Sequence, residues 1–151
     1  MNTKVKLLRE NATFKKAYPN DSGYDLTACD YEYKGNGLWH IMLGVAVEPP
    51  EGYYFEIVPR SSFSKTPFVF ANNLGVIDSS FRGEIRFPVK YLNVPLQWIR
   101  KLVESSIKAY LLNNRIAQAI LRRYYDSEIE IVQELSETDR GSNGFGSTGQ
   151  C

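Results

Sequence analysis

Histidine is almost missing from this chain: among 151 residues only His40 carries an imidazole. That scarcity excludes the usual histidine-rich zinc sites and leaves Ser-His or Cys-His catalysis a single residue to work through. His40 lies between Trp39 and Ile41 in a strand-like run, where a structural role is expected. Cysteine is scarce too. Cys29 and Cys151 make neither a disulfide framework nor a metal spacing, which points to reduced thiols of the cytosolic kind. Long apolar runs are absent; the opening MNTKVKLLREN has no apolar core of signal-peptide length, and nothing approaches a membrane span. A cytoplasmic location is the expectation, with the nucleus or an infected host cell as alternatives and no secretion. Charge of one sign is lacking as well, since 18 Lys and Arg against 17 Asp and Glu leave a net +1. No global field draws the chain to nucleic acid or to a membrane, so any anion site must be a local cluster.

What remains is an ordinary soluble composition of single-domain length, written as short β-like runs between turn residues. Val5 to Leu8, Tyr24 to Tyr33, Leu38 to Val47, Tyr53 to Val58, Ile85 to Tyr91, Ile116 to Tyr125 and Ile129 to Val132 read as strands. Gly35-Asn36-Gly37 and Pro49-Pro50-Glu51-Gly52 read as turns. Pro88 interrupts an alternating run and cannot donate to a ladder, which predicts an edge or a bulge. This spacing predicts an all-β sandwich, barrel or jelly roll. One segment differs: after Pro95, the residues Leu96, Ile99, Leu102, Val103 and Ile107 recur at helical spacing and predict a short inserted helix over about 94–108.

Three stretches carry chemistry. Asn72 to Ile85 reads as strand, tight turn, strand, with Asp78 and Phe81 near the bend and Gly83 allowing an unusual backbone angle. A carboxylate at such a bend either orients and deprotonates a water or merely closes an Asx turn. Pro59-Arg60-Ser61-Ser62 follows an apolar strand and offers a guanidinium, hydroxyls and backbone N–H groups, either as a phosphate seat or as a solvated surface turn. Residues 140–149 combine Arg140, four glycines, Phe145, Ser147 and Thr148. They suit a flap closing on an anionic, ring-containing ligand, or else an idle flexible terminus.

Five segments in order resemble the motifs of the homotrimeric dUTP diphosphatase (dUTPase) family. They are Asp21-Ser22-Gly23-Tyr24-Asp25-Leu26, Pro59-Arg60-Ser61-Ser62, Gly75-Val76-Ile77-Asp78 through Phe81-Arg82-Gly83-Glu84, Arg115-Ile116-Ala117-Gln118, and Arg140 through Gly149. The resemblance implies an all-β, distorted jelly-roll or β-clip-like subunit over 1–135, a flexible active-site flap over 136–151, and a homotrimer with shared sites. It implies hydrolysis of dUTP to dUMP and diphosphate, which keeps uracil out of DNA and supplies dUMP for thymidylate synthesis. By position, Asp78 would activate the attacking water. Asn72, Gly75 and Ile77 would read uracil through the backbone, with Phe81 beneath the deoxyribose. Arg60, Ser61, Ser62 and Gln118 would hold the α- and β-phosphates. Arg140, Ser147 and Thr148 would grip the γ-phosphate, while Phe145 and Gly146 close over the base. Mg²⁺ would be carried by the triphosphate and waters with no direct protein ligand, Asp25 standing in its outer sphere.

The chain departs from the family pattern in places. Phe81 stands where Tyr is more frequent, Ser62 where Gly is frequent, and Asn114 where an Asp usually precedes the motif arginine. Asn114 removes a local ion pair worth ~0–1 kcal/mol if exposed, and Ser62 is tolerable if it points outward. The inserted helix is expected to lie outside the active site. Two other readings stay open. The related dCTP deaminase family shares the fold and a similar hairpin, but its catalytic Glu, ten residues after the hairpin Asp, falls here on Pro88. A dUTPase-like trimer with a partner-binding regulatory role is the second.

Overall fold

The computed structural model describes residues 1–92 and 100–143. Two four-stranded antiparallel sheets and a two-stranded ribbon, β1 (Lys4–Leu7) with β5 (Val45–Glu48), enclose one core. The first sheet runs β2 (Gly23–Thr27), β10 (Arg115–Arg123), β6 (Tyr53–Pro59), β8 (Gly75–Ile77). The second runs β3 (Asp30–Gly35), β4 (Leu38–Met42), β9 (Arg86–Tyr91), β7 (Phe68–Phe70). Leu26, Phe55, Ile57, Ala117 and Ala119 from the first meet Trp39, Ile41, Phe87 and Val89 from the second in a single buried cluster. This is the jelly-roll-like, mostly β architecture that the strand spacing announced. Among the described residues no helix is long and apolar enough to cross a membrane.

Two runs read as single strands are each divided between sheets. Tyr24 to Tyr33 breaks at Ala28 and Cys29, whose neighbouring N–H groups bond in opposite directions: Ala28 to the Asn114 carbonyl (2.9 Å) and Cys29 to the Met42 carbonyl (2.8 Å). Leu38 to Val47 breaks at Gly44, which adopts φ +67°. A Cβ there would lie 2.8 Å from both the Ala12 Cβ and the Cys29 Sγ, so glycine answers two demands at once. The Gly35-Asn36-Gly37 turn has all three residues at positive φ and joins β3 to β4.

Pro88 occupies neither an edge strand nor a bulge. It is buried in β9, opposite His40 of β4, with β7 on the other side. Its carbonyl accepts from the Ala71 N–H (2.9 Å), just past the end of β7. Because N–H and C=O of one residue in an antiparallel strand face the same way, the missing donor also points beyond β7, where no ladder bond is lost. His40 is structural in this setting, and burial pushes its pKa down.

The inserted helix is present, and one of its faces packs into the core. Its described part is α1 (Arg100–Ser106), followed by a π-helical turn over Ile107–Leu111. Val103, Ile107 and Leu111 belong to the core, and Leu102 is exposed; Leu96 and Ile99 lie outside the described residues. The strand expected over Ile129–Val132 does not form. After Arg123 the described chain forms no regular element, with Ile131 96% exposed and Ile129, Val132 and Leu135 uncovered.

Candidate active site

Strand β10 lies between β2 and β6, and its register sets Gln118 opposite Asp25 on one side and Val58 on the other. Ala117 faces Pro59, and the Arg60 N–H continues the ladder to the Ile116 carbonyl (2.9 Å). Three motifs separated by dozens of residues therefore meet on adjacent strands. At their centre Asp25 is 1% exposed. Its carboxylate forms ion pairs with Arg60 and with Arg115 (Oδ2 to Nη1 2.9 Å), and its Oδ1 accepts from the Gln118 amide (3.2 Å). A buried carboxylate is tolerated only when its lone pairs and charge are met in this way. Gly23 is explained by the same packing: a Cβ there would lie 3.0 Å from the Gln118 Cβ and 3.1 Å from its Cδ.

Beyond Arg60 the chain makes a 3-10 turn over Ser61–Lys65, anchored by buried Phe63, whose ring meets Phe87 edge-on at 5.3 Å. Ser61 and Ser62 are exposed. Arg60, Ser62, Thr66, Tyr110, Asn114 and Arg115 line a cavity of about 390 Å³. Two guanidiniums and several neutral donors around one hollow suit a polyanion. Ser62 thus lines the cleft instead of turning outward. Arg115 finds its carboxylate across the sheet in Asp25, not at position 114; Asn114 instead caps the helical segment through Nδ2 to the Tyr110 carbonyl (3.2 Å).

Asp78 is elsewhere. Strand β8 lies on the outer edge of β6, with Gly75 opposite Ile57 and Ile77 opposite Phe55. A Cβ on Gly75 would come within 3.3 Å of the Ile57 Cβ. Asn72 is exposed ahead of it, its carbonyl accepting from the Leu74 N–H (2.6 Å) beside Asn73 at φ +59°. After Ile77 the chain turns, with the Phe81 N–H bonded to the Asp78 carbonyl (3.1 Å). The Arg82 guanidinium clamps this turn by donating to the carbonyls of Ser79 (2.6 Å) and Phe81 (2.9 Å). The expected hairpin does not close, because Ile85 bonds to Leu43 and Val45 and β8 pairs with β6. Nor does Gly83 adopt a left-handed angle. Glycine is needed there for space: a Cβ would lie 2.6 Å from Cζ of Phe81, whose ring covers it and is 44% exposed. Glu84 ties the turn to the body through Arg9 Nε (2.8 Å) and the Gly44 N–H (3.0 Å).

Asp78 is exposed and, with Tyr54, Val76, Ser79 and Tyr124, lines a second cavity of about 470 Å³. Beside it Arg122 donates to Glu56 (2.8 Å) and holds that carboxyl below its usual range. The Tyr54 hydroxyl donates to the same carboxylate (2.9 Å), which pushes the phenol up. Continuing the register sets Asp78 level with Tyr54, while Arg60 follows Pro59 at the far end of β6. Six residues of strand separate them by roughly 20 Å. One copy of the chain does not bring the carboxylate to the cleft. Arg140 also stays apart, its Nε donating to the Asn143 carbonyl (3.0 Å) in its own turn. Phe145, Gly146, Ser147 and Thr148 lie outside the described residues.

A family model described as dUTPase matches residues 9–149. The chain belongs to the dUTPase family. It is 36% identical to the deoxyuridine 5'-triphosphate nucleotidohydrolase of Finegoldia magna, over 97% of this chain and 99% of that protein. The dUTPase of Staphylococcus bacteriophage 80alpha, solved with dUPNHPP, superposes with a TM-score of 0.73 at 25% identity, covering 99% of each chain. A mutant dUTPase from phage phi11 of S. aureus, described for its coordination of a structural Mg(II) ion, shares the fold with a TM-score of 0.71 at 22% identity, over 91% of this chain and all of that one. The dCTP deaminase alternative is not favoured. Pro88, which falls where that family carries its catalytic Glu, is buried in β9 and has no acid–base group.

Sequence reasoning overlooked four residues that this dUTPase fold assembles. Arg115 was visible inside its motif, and its pairing with Asp25 follows only from the β2–β10 register. Tyr54, Tyr124 and Tyr110 carry no local signal, since each reaches its cavity by strand pairing or by the packing of the helix.

Proposed function

We propose that the chain hydrolyses dUTP to dUMP and diphosphate at sites shared between copies of a homotrimer. The observation that carries this reading is the separation of Asp78 from Arg60 at opposite ends of β6. Each end has half of a nucleotide site, so the β8 turn of one copy must face the Arg60 cleft of another. The uncovered apolar residues after Arg123 are consistent with a chain that finishes its packing on a neighbour.

In the assembled site Asn72, Gly75 and Ile77 offer backbone groups to uracil, and the Phe81 ring lies under the deoxyribose, leaving no room for a 2′-hydroxyl. Arg60, Ser61, Ser62 and Gln118 hold the α- and β-phosphates. Arg140, Ser147 and Thr148 take the γ-phosphate, with Phe145 and Gly146 over the base. Asp78 accepts a proton from water as the oxygen attacks the α-phosphorus, and the bond from that phosphorus to the bridging oxygen breaks, releasing diphosphate. Arg60 is held by Asp25 before substrate arrives and exchanges that carboxylate for phosphate oxygens.

Among the described residues no group of three or more His, Cys, Asp or Glu could hold a metal ion. An ion carried by the triphosphate would be met by Asp25 through water, the carboxylate being freed as Arg60 turns to phosphate. Bound in that way, Mg²⁺ offsets phosphate charge that two guanidiniums alone leave unbalanced.

The test is to co-refold an Asp78→Asn chain with an Arg60→Ala chain, each inactive alone. A site built from two copies regains about a quarter of wild-type activity in an equal mixture, because half of each contributing surface is intact. A mixture as inactive as its components means that one copy holds the whole site.

A further inference from the structure

The helical segment that ends the insertion reaches the cavity beside Arg60 through its last turn. Its apolar face is locked into the core by Val103, Ile107 and Leu111. The turn that follows is widened to π geometry, the Leu112 N–H bonding five residues back to the Ile107 carbonyl (3.0 Å). Such one-residue expansions re-aim a side chain at little cost in backbone bonding. Here Leu111 stays in the core while Tyr110, 49% exposed, lines the cavity with Arg60, Ser62 and Arg115. The Asn114 side chain pins the Tyr110 carbonyl, and Arg115 next to it is pinned by Asp25, so the phenol stands on a fixed base. Thr66 in the same cavity has its hydroxyl committed to the Phe63 carbonyl (2.8 Å). The Tyr110 hydroxyl makes no hydrogen bond among the described residues.

We propose that Tyr110 is a substrate-positioning residue of the cleft, its phenol donating a hydrogen bond to a phosphate oxygen held between Arg60 and Arg115. The turn after the inserted helix thereby contributes to the wall of the site. A neutral donor suits this position, because it adds a bond to the polyanion without a third cation to desolvate. The inference rests on the dUTP-hydrolysing reading for its substrate, but the cleft can be tested separately.

The experiment compares full-length wild type with Tyr110→Phe, which keeps the ring and loses the hydroxyl. Calorimetric titration with inorganic pyrophosphate and Mg²⁺ probes the cleft; titration with deoxyuridine probes the β8 turn; steady-state kinetics with dUTP report the whole site. The expected result is that pyrophosphate binding weakens and KM for dUTP rises, each by about ten- to a hundredfold, the loss of one hydrogen bond to a charged group. Deoxyuridine affinity, kcat and melting temperature stay within about twofold or a degree or two of wild type. Unchanged pyrophosphate affinity overturns the proposal, as does an equal weakening of deoxyuridine, which marks a merely structural role, or a wild type that binds no pyrophosphate. A wild type that binds pyrophosphate but turns over no dUTP defeats the functional reading and leaves the pyrophosphate comparison to decide Tyr110.

Discussion

At one end of β6, Arg60 is paired with a buried carboxylate that also holds Arg115 and Gln118. At the other end, Asp78 stands exposed on a turn held by backbone bonds and the Arg82 clamp. In the cleft two guanidiniums are already gathered around one buried carboxylate, a charge arrangement assembled within a single subunit. On the turn Arg82 and Glu84 hold the backbone and leave Asp78 itself unpaired among the described residues, and the apolar neighbours Leu74, Val76 and Phe81 are exposed. The difference separates a charged cleft held by side-chain pairing from an exposed turn whose carboxylate is left unpaired among the described residues.

Substitutions at the two ends should therefore fail in different ways. Asp78→Asn should lower kcat by about 10²–10⁴, the span of a lost general base. Stability should remain within about 0.5 kcal/mol, as for an exposed residue. A chemical denaturation curve beside the kinetics checks both, and a large loss of stability would mean that Asp78 is part of the fold. Asp25→Ala should act in the opposite sense, destabilising the subunit first. Removing one partner of a buried pair costs ~3–5 kcal/mol, and the partly exposed guanidiniums, able to turn to water, set the lower end of that range. Thermal unfolding reads this directly; an unshifted midpoint would show that the network stabilises nothing.

Gly83→Ala should have the smallest effect and the most specific one. The new Cβ displaces the Phe81 ring, which is exposed and free to move, so stability changes little. Preference for dUTP over UTP, measured as the ratio of kcat/KM, should fall roughly tenfold, the scale of one altered apolar contact. A ratio that does not move would release Phe81 from its role against the ribose.

Much of the fold could be read directly. Alternation over Ile85–Tyr91 marks β9, and the β-like runs Tyr53–Val58 and Ile116–Tyr125 mark β6 and β10, because side-chain period and residue type are local properties. Strand ends were less legible. The breaks at Ala28–Cys29 and at Gly44 depend on which sheet receives each N–H, and no local pattern encodes that choice. Phe68–Phe70 is too short for periodicity to register. Ile129 to Val132 has the β-branched composition of a strand, but a strand is completed by pairing, and that stretch has no partner among the described residues.

The sequence alone determined the chemistry on offer: five motifs, their order, and a β class, all written in residue types and spacings that need no third dimension. Only the tertiary structure decided how those groups combine. Register across β2, β10 and β6 brings Asp25, Arg60, Arg115 and Gln118 together, while the antiparallel run of β8 carries Asp78 to the opposite end of the same strand. The π turn that follows the inserted helix presents Tyr110 to the cleft. The physical reason is that ion pairing, hydrogen bonding and packing act through space between residues ninety or more positions apart, a proximity that strand pairing creates and that linear order does not contain.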